Sequence, residues 1–411
     1  MGIARGPNLI KDNLVFGYDT GYGVADNTTS TRFYPGEPTT NLFSSPNFTN
    51  HTDVTVGTTS IVKQDFGGGK IGIRMIQEGT SDIASFSMGS YSAPLSAGTY
   101  TWSSFIHSTS TGGKVKAQVT VYVNGTRHWL TSSNTWSTSV TECTHLFIAT
   151  VANQWHRIEN QFTLPTGTLT NLQLGSFYRT TSNFTIKLAN AQFELKSHTT
   201  PFTPTTRSDT ASLIDLKRTT NIDVSNVSFD STGQPEFDGT DDVISIDVDD
   251  IVRQSTNITI EGIVELGSIT SAGPWSIMTD HATTSDRDGF WWHMNISGSV
   301  YFRVEDNVNG EQGTVFSGGV PFIANTTQHI VTIVGALGVF IYVNGELSKT
   351  YTPSFKWSQI DSSKTAYLTI GRTYPNYFLN SKNRVVKMYN RALTAEEIKK
   401  NFNVYKNRFN I

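Results

Sequence analysis

The stretch FWWHMNISGSVYFRV, residues 290–304, holds the side chains of this sequence best suited to binding chemistry. On an extended strand Phe290, Trp292 and Met294 alternate with Trp291 and His293, because successive side chains point to opposite faces. Beyond the Ser-Gly turn, Val300, Phe302 and Val304 alternate with Tyr301 and Arg303. If the three apolar residues line a core, Trp291, His293, Tyr301 and Arg303 form an outward patch. Aromatic faces stack on sugar C–H surfaces and neighbouring polar groups bond hydroxyls, so the patch is a candidate carbohydrate site. The same residues also suit packing against a neighbouring subunit or beneath another part of the chain. Trp129, Trp136 and Tyr178 are further carbohydrate candidates, with hairpin or core packing as the competing explanation.

Catalysis finds less support. Glycoside hydrolysis needs two carboxylates on neighbouring positions of one face. Glu236, Asp238 and Asp241 come closest, and their spacing loosely resembles a glucanase Glu-x-Asp-x-x-Glu motif. Yet Glu236 follows Pro235 at a strand entry, and FDGTDD also reads as an Asp-Gly turn leading into a strand, with Phe237 in the core. No Ser/His/Asp order stands out, and His281 and His293 lack the spaced partners that zinc requires. The acids at 247–250 and Asp280, Asp286 and Asp288, in a run that also holds His281, supply oxygen ligands of the kind calcium takes, without an Asp-x-Asp-x-Asp-Gly loop. The expectation is no catalytic site and no cofactor, calcium being the one metal the loops could accept.

These residues sit in a chain of strands. AGTYTWSSFI, KAQVTVYVNGTRHW, NQWHRIENQFTLP and FTIKLANAQFEL are short Val/Ile/Phe/Tyr runs separated by turn residues, as are ITIEGIVEL, HIVTIVG, VFIYVNGELSKTY and RVVKMY. Asn124-Gly125 and Asn344-Gly345 each follow such a run, and Asn-Gly tolerates the positive φ angles of a two-residue type I′ hairpin. Only the end of the chain has helical spacing. Thr394 followed by Glu397 forms a capping box, Leu393 and Ile398 flank it as a staple, and Ile398, Phe402, Tyr405 and Phe409 share a face. The spacing predicts a helix over 394–408.

The chain has 411 residues, a formal net charge of −3 and only 16% charged residues. That length allows two or three domains, and the composition is that of all-β sandwiches. With no basic stripe there is no electrostatic reason to expect nucleic-acid binding. The longest apolar stretch, Ile330 to Val343, is broken by GALG and is too short to span a membrane, so it reads as two strands joined by a turn. MGIARGPNLIKDN has no apolar core of a secretory signal, and the single cysteine, Cys143, forms no intrachain disulfide.

Taken in order, FDGTDDVISI, ITIEGIVEL, HIVTIVG, VFIYVNGEL, LTIG and KMYNRALTAEEIKKNFN resemble the concanavalin A-like, laminin-G-like jelly roll. The version ending in Tyr-Asn-Arg-Ala-Leu-Thr, a short helix and a Lys-x-Arg-Phe tail is similar to virion structural proteins of tailed bacteriophages. Ser381 and Asn383 depart from that pattern, standing where Gly and an apolar residue are usual. In relatives LVFGYD, RFYPGEPTTN and SLIDLKRTT follow closely on one another; here about 165 residues separate them. The resemblance therefore implies that residues 1–40 complete the C-terminal jelly roll of 206–411, and that 41–205 are an inserted sandwich similar to carbohydrate-binding modules.

The fold expected is all-β, two antiparallel β-sandwich jelly rolls and a short C-terminal helix. That helix is expected to cover a sheet edge or the end of the sandwich, leaving Lys406 to Ile411 as a tail free to meet a partner. The resemblance implies a non-catalytic structural protein of the virion, a capsid decoration, fibre or tail-associated component, assembled in the host cytoplasm. Its expected partners are other virion proteins, further copies of itself and a surface polysaccharide. The alternative is a dedicated glycan-binding adhesin or receptor-binding protein, and glycoside hydrolysis is the remaining reading.

Overall fold

The computed structural model describes residues 9–21, 34–43, 45–48, 54–56, 59–77, 89–91, 95–109, 111, 114–141, 143–179, 185–247, 256–267, 275–281, 289–294, 300–306, 310–316, 323–352, 367–373 and 377–411. Antiparallel strands dominate, and the chain divides into two compact units, residues 1–37 with 208–411 and residues 38–207.

In the first unit an eight-stranded sheet faces a six-stranded one. The strand Asn380–Tyr389 is the axis of the larger sheet. One of its sides pairs with Asn257–Leu266, the other with both Leu14–Asp19 and Pro235–Asp238. Thr327–Gly335, Gly338–Val343 and Glu346–Tyr351 extend the sheet beyond Asn257–Leu266. The smaller sheet runs Ile244–Asp247, Tyr367–Ile370, Trp275–His281, Gly289–Met294, Val300–Asp306, Gly310–Phe316. Between the sheets lie Phe16, Tyr18, Phe237, Ile258, Ile260, Trp292, Ile330, Ile341, Leu368 and Met388. The alternation of ITIEGIVEL and HIVTIVG produces this core, because every second side chain enters it.

Local chemistry places the turns. Asn124 and Gly125 have φ of 48° and 81°, and Asn344 and Gly345 have 51° and 79°, so both pairs make the left-handed hairpins their sequence favours. The glycine of LTIG has a different duty. Gly371 has φ +91°, and a Cβ there would lie 2.2 Å from a ring carbon of buried Phe237. Gly371→Ala is therefore expected to destabilise this unit by about 2–3 kcal/mol, measurable as a shifted midpoint in denaturant unfolding.

The N-terminal strand is stitched in by the sequence that resumes after residue 207. Leu216 donates its backbone N–H to the Gly17 carbonyl at 2.8 Å, and Gly17 donates to the buried Asp215 carboxylate at 3.2 Å. Ser212 Oγ donates to the Gly36 carbonyl at 2.9 Å. Ser381 and Asn383 are both buried, with Ser381 Oγ 3.0 Å from Asn383 Oδ1. A bulge between Ile263 and Val264 shifts the register of this stretch against Asn257–Leu266.

The helix runs Ala395–Phe409, capped by Thr394, whose side chain and Glu397 complete the capping box. It does not close a sheet edge or the end of the sandwich. Its buried residues, Ile398, Asn401, Phe402 and Tyr405, meet His329, Glu261 and Lys387 on the outer face of the eight-stranded sheet. The tail is not free either. Asn410 caps the helix in the left-handed conformation, Arg408 Nη1 donates to Asp19 Oδ2 at 2.7 Å, and Phe409 and Ile411 pack beside Tyr405. Helix and tail together cover the outer face of this sheet, whose apolar strand residues Val331, Ile263 and Val385 pack against Ile398 and Tyr405.

The unit of residues 38–207 is a sandwich of two six-stranded sheets around Tyr100, Trp102, Ile106, Phe162, Leu188 and Phe193. Its entry and exit segments pair with each other, Thr39 opposite Arg207 and Thr40 opposite Thr206. Above them the buried Glu194 carboxylate accepts from Thr39 Oγ1 and Gln192 Nε2 at 2.8 Å, and from the Thr200 amide at 3.0 Å. These hydrogen bonds satisfy the acid, and the nearby Arg157 guanidinium interacts with its charge.

Candidate glycan-binding site

Gly289–Met294 and Val300–Asp306 are neighbouring antiparallel strands of the smaller sheet in the first unit. Their register sets Trp291 opposite Arg303 and His293 opposite Tyr301, with Trp292 opposite Phe302. Trp292 is fully buried and donates its indole N–H to Thr332 Oγ1 at 2.7 Å. By alternation Trp291, His293, Tyr301 and Arg303 belong to the face opposite Trp292. Directly opposed residues of one face have Cβ atoms about 4.5–5.5 Å apart, so the register makes positions 291, 293, 301 and 303 neighbours on one face of the sheet.

The three candidates of the second unit are not gathered together. Trp129 is half-buried on Thr126–Leu130, with the Arg127 guanidinium 5.1 Å from its ring centroid. Trp136 donates its indole N–H to the Thr163 carbonyl at 2.8 Å and meets Phe162 edge-on at 5.9 Å, so its ring closes the margin of the core. Tyr178 lies on Leu169–Arg179 opposite Lys116.

The carboxylates of FDGTDD lie together: one oxygen each of Asp238, Asp241 and Asp242 falls within 4.8 Å of the others. Two of these acids hold the turn. Asp242 accepts from the amides of Ser228 and Asp238, and Asp238 accepts from the Thr240 amide at 2.7 Å. Burial and the neighbouring Asp238 push the Asp242 carboxyl up, whereas hydrogen bonds led by the Thr240 amide hold Asp238 down against its own burial. Glu236 lies 3.7 Å from Lys382 Nζ at a partly exposed position. Of the proposed loop ligands, Asp247, Asp280 and His281 fall on strands, while Asp286, Asp288 and residues 248–250 lie outside the described residues.

A polar centre under the helix escaped the sequence reading. Glu261, His329 and Lys387 are fully buried on three adjacent strands. Glu261 Oε1 lies 2.9 Å from His329 Nε2, and its Oε2 accepts from the Tyr389 hydroxyl and Asn401 Nδ2, each at 3.1 Å. Lys387 Nζ is 3.6 Å from the same oxygen, bonds the Tyr405 hydroxyl, and sits 4.7 Å from the centroid of that ring. Burial alone would raise the Glu261 carboxyl, but Lys387 and His329 more than offset it and hold it at about 2. Burial pushes the Lys387 ammonium down despite Glu261. The signal was present: Glu261 in ITIEGIVEL and Lys387 in RVVKMY are charges inside runs too apolar for a solvated face.

Residues 238–399 match the family model described as the concanavalin A-like lectin/glucanases superfamily, of laminin-G type. Among solved structures, the binding domain of botulinum neurotoxin serotype D is similar at 15% identity, covering 48% of this chain and 49% of that one, with a TM-score of 0.37. The binding domain of botulinum neurotoxin serotype D/C shows 17% identity, covering 48% and 50%, at a TM-score of 0.37. A Trypanosoma rangeli sialidase shows 12%, covering 46% of this chain and 30% of that one, at 0.35. The chain spans about half the length of these toxin domains. No curated protein matches it. The unit that contains residues 238–399 is a β-sandwich of jelly-roll type, and it is in those residues that the chain resembles the concanavalin A-like, laminin-G-type model.

Proposed function

We propose that this is a non-catalytic structural and attachment protein, carried in the virion of a tailed bacteriophage with other virion proteins and further copies of itself. In this reading its jelly roll binds a surface polysaccharide through Trp291, His293, Tyr301 and Arg303. The observation that carries the binding is the cross-strand register of those four residues on a sheet whose other face is anchored by Trp292. Aromatic faces stack against sugar rings, and a planar guanidinium bonds adjacent hydroxyls bidentately. The virion setting is supported by the resemblance of the closing segment alone. The non-catalytic reading is supported by the turn-holding work of the FDGTDD carboxylates. The same patch serves a dedicated adhesin as well, which differs in setting rather than in chemistry.

A glycan array followed by polysaccharide pull-down tests the site. The full chain is expected to retain a polysaccharide that Trp291→Ala or Arg303→Ala binds at least about tenfold less tightly, while Glu236→Gln changes nothing. Failure of every form to bind any glycan would remove the adhesive half of the reading. Cleavage abolished by Glu236→Gln would instead restore hydrolysis.

A further inference from the structure

The unit of residues 38–207 has an outer face of mixed aromatic and cationic character that no part of the foregoing uses. Its sheet places His156–Leu164, Gly98–Ser108, Thr185–Glu194 and Ile71–Gln77 side by side. Trp102, Ile106, Ile186 and Leu188 point into the core. Half of the outer face is roofed by the segment leading to residue 207: Thr101 donates to the Lys196 carbonyl, and Gln192 and Glu194 bond Thr200.

The other half carries a different set of side chains. Across it run Arg157, Phe105, Ala189 and Gly72 in one row, and His107, Lys187 and Arg74 in the next. The loop Gly67-Gly68-Gly69, all three at positive φ, brings Phe66 within 5.1 Å of Trp155, ring centroid to ring centroid. Trp155 lies 5.5 Å from His107. Lys187 Nζ sits 5.6 Å from the Phe66 centroid and Lys70 Nζ 5.3 Å from that of Phe105. Phe66, Trp155, Lys70, Lys187, Arg74 and His107 are all half-buried, with part of each side chain open to solvent.

The charge on this half is unbalanced. Among the described residues no carboxylate lies within ion-pair distance of Lys70, Arg74 or Lys187. The nearby acids are engaged: Asp65 accepts from the Gly67 amide at 2.8 Å, Glu159 from Thr199, and Glu194 from the roof. Gln64 Oε1, Arg74 Nε and His107 Nδ1 are withdrawn from solvent yet have no hydrogen-bond partner. Burial and then the Lys187 cation hold the His107 imidazole below its ordinary value. Aromatic faces steady the lysine heads without neutralising them, which leaves their charge available to a ligand.

We infer that this half-face is a second glycan site, for an acidic polysaccharide whose sugar rings stack on Trp155 and Phe66 while its uronate carboxylates pair with Lys187, Lys70 and Arg74. Neutral sugars would satisfy the rings but not the cations. Nucleic acid would satisfy the charge, but its regular phosphates call for a longer basic track than this patch offers.

The test is affinity electrophoresis of the full chain against polygalacturonate, neutral galactan and an oligothymidylate. Retardation by polygalacturonate is expected. It should weaken at least about tenfold in the Lys70→Gln, Lys187→Gln double variant and in Trp155→Ala, and fall steeply as salt rises toward about 0.5 M. Trp291→Ala should leave it unchanged, which separates this site from the jelly-roll patch. An unaltered thermal transition shows that each variant is folded, and Lys187→Arg, which keeps the charge, should recover binding. No retardation by polygalacturonate, equal retardation by galactan, stronger retardation by oligothymidylate, or indifference to the charge variants would each overturn the inference.

Discussion

Removal of residues 1–25 is expected to abolish the cooperative unfolding of the unit formed by residues 1–37 and 208–411. The strand Leu14–Asp19 is short, but Phe16 and Tyr18 are fully buried in the core between the sheets. Losing each buried aromatic costs about 3–5 kcal/mol. The truncation also strips the hydrogen-bonding edge of Asn380–Tyr389 and leaves Asp215 without the Gly17 amide. Beyond the strand, Ile10 accepts the Tyr389 hydroxyl and donates its amide to Asn401, so the helix loses a support as well. Together these losses reach the whole stability of an ordinary domain, about 5–15 kcal/mol. Calorimetry of the truncated chain should show a transition for residues 38–207 and none for the remainder. An unchanged second transition would mean that the N-terminal strand is dispensable.

The second large effect is expected at Glu261. Replacing it with Gln leaves Lys387 buried with its nearest counter-charge removed, and breaking a buried pair on one side costs about 3–5 kcal/mol. The double variant Glu261→Gln, Lys387→Met should recover most of that loss, since an apolar side chain needs no counter-charge. Hydrogen exchange should show the helix amides losing protection in the single variant, because Asn401 and Tyr405 dock on this centre. The pH dependence has a definite sign. The Glu261 carboxyl is held at about 2 in the folded chain against an ordinary 4.5, so its contribution is fully present above about 4.5 and is lost as pH falls toward 2. Asp230, lowered to about 2 by bonds from Thr232, Lys382 and Gln234 against its own burial, adds to the same acid loss. Glu261→Gln should therefore flatten, without removing, the decline in stability over that range. A decline as steep as that of the parent chain would show that Glu261 is not ionised in the folded state.

The polar centre explains why a chain of strands ends in a helix. The amphipathic stripe of Ile398, Phe402 and Tyr405 accounts for the apolar contacts. Asn401 is buried on the same face of the helix. In the structure it is the donor that meets Glu261, and His329 stacks on Phe402 at 5.8 Å. The roof is thus specific for this floor, since an all-apolar helix would leave the Glu261 oxygen without one of its donors.

Much of the fold follows from short-range rules that a sequence carries by itself. Period-two alternation identifies the strands and tells Trp292 from Trp291. Asn-Gly pairs locate two hairpins because few other residues accept those φ angles, and a Thr and a Glu three residues apart start the helix because they satisfy its first amides. What the tertiary structure decided is which roof each buried or half-buried face receives. Glu261 and Lys387 stand out in sequence as charges within apolar runs, but that the C-terminal helix is what covers them is decided only by the tertiary structure. Phe66, Lys70, His107, Trp155 and Lys187 are scattered over some 120 positions of sequence, and only sheet order and a triglycine loop bring them to one surface. The reason is physical: alternation fixes which side of a strand a residue occupies, whereas the partner on that side is chosen by contacts between segments far apart in the chain.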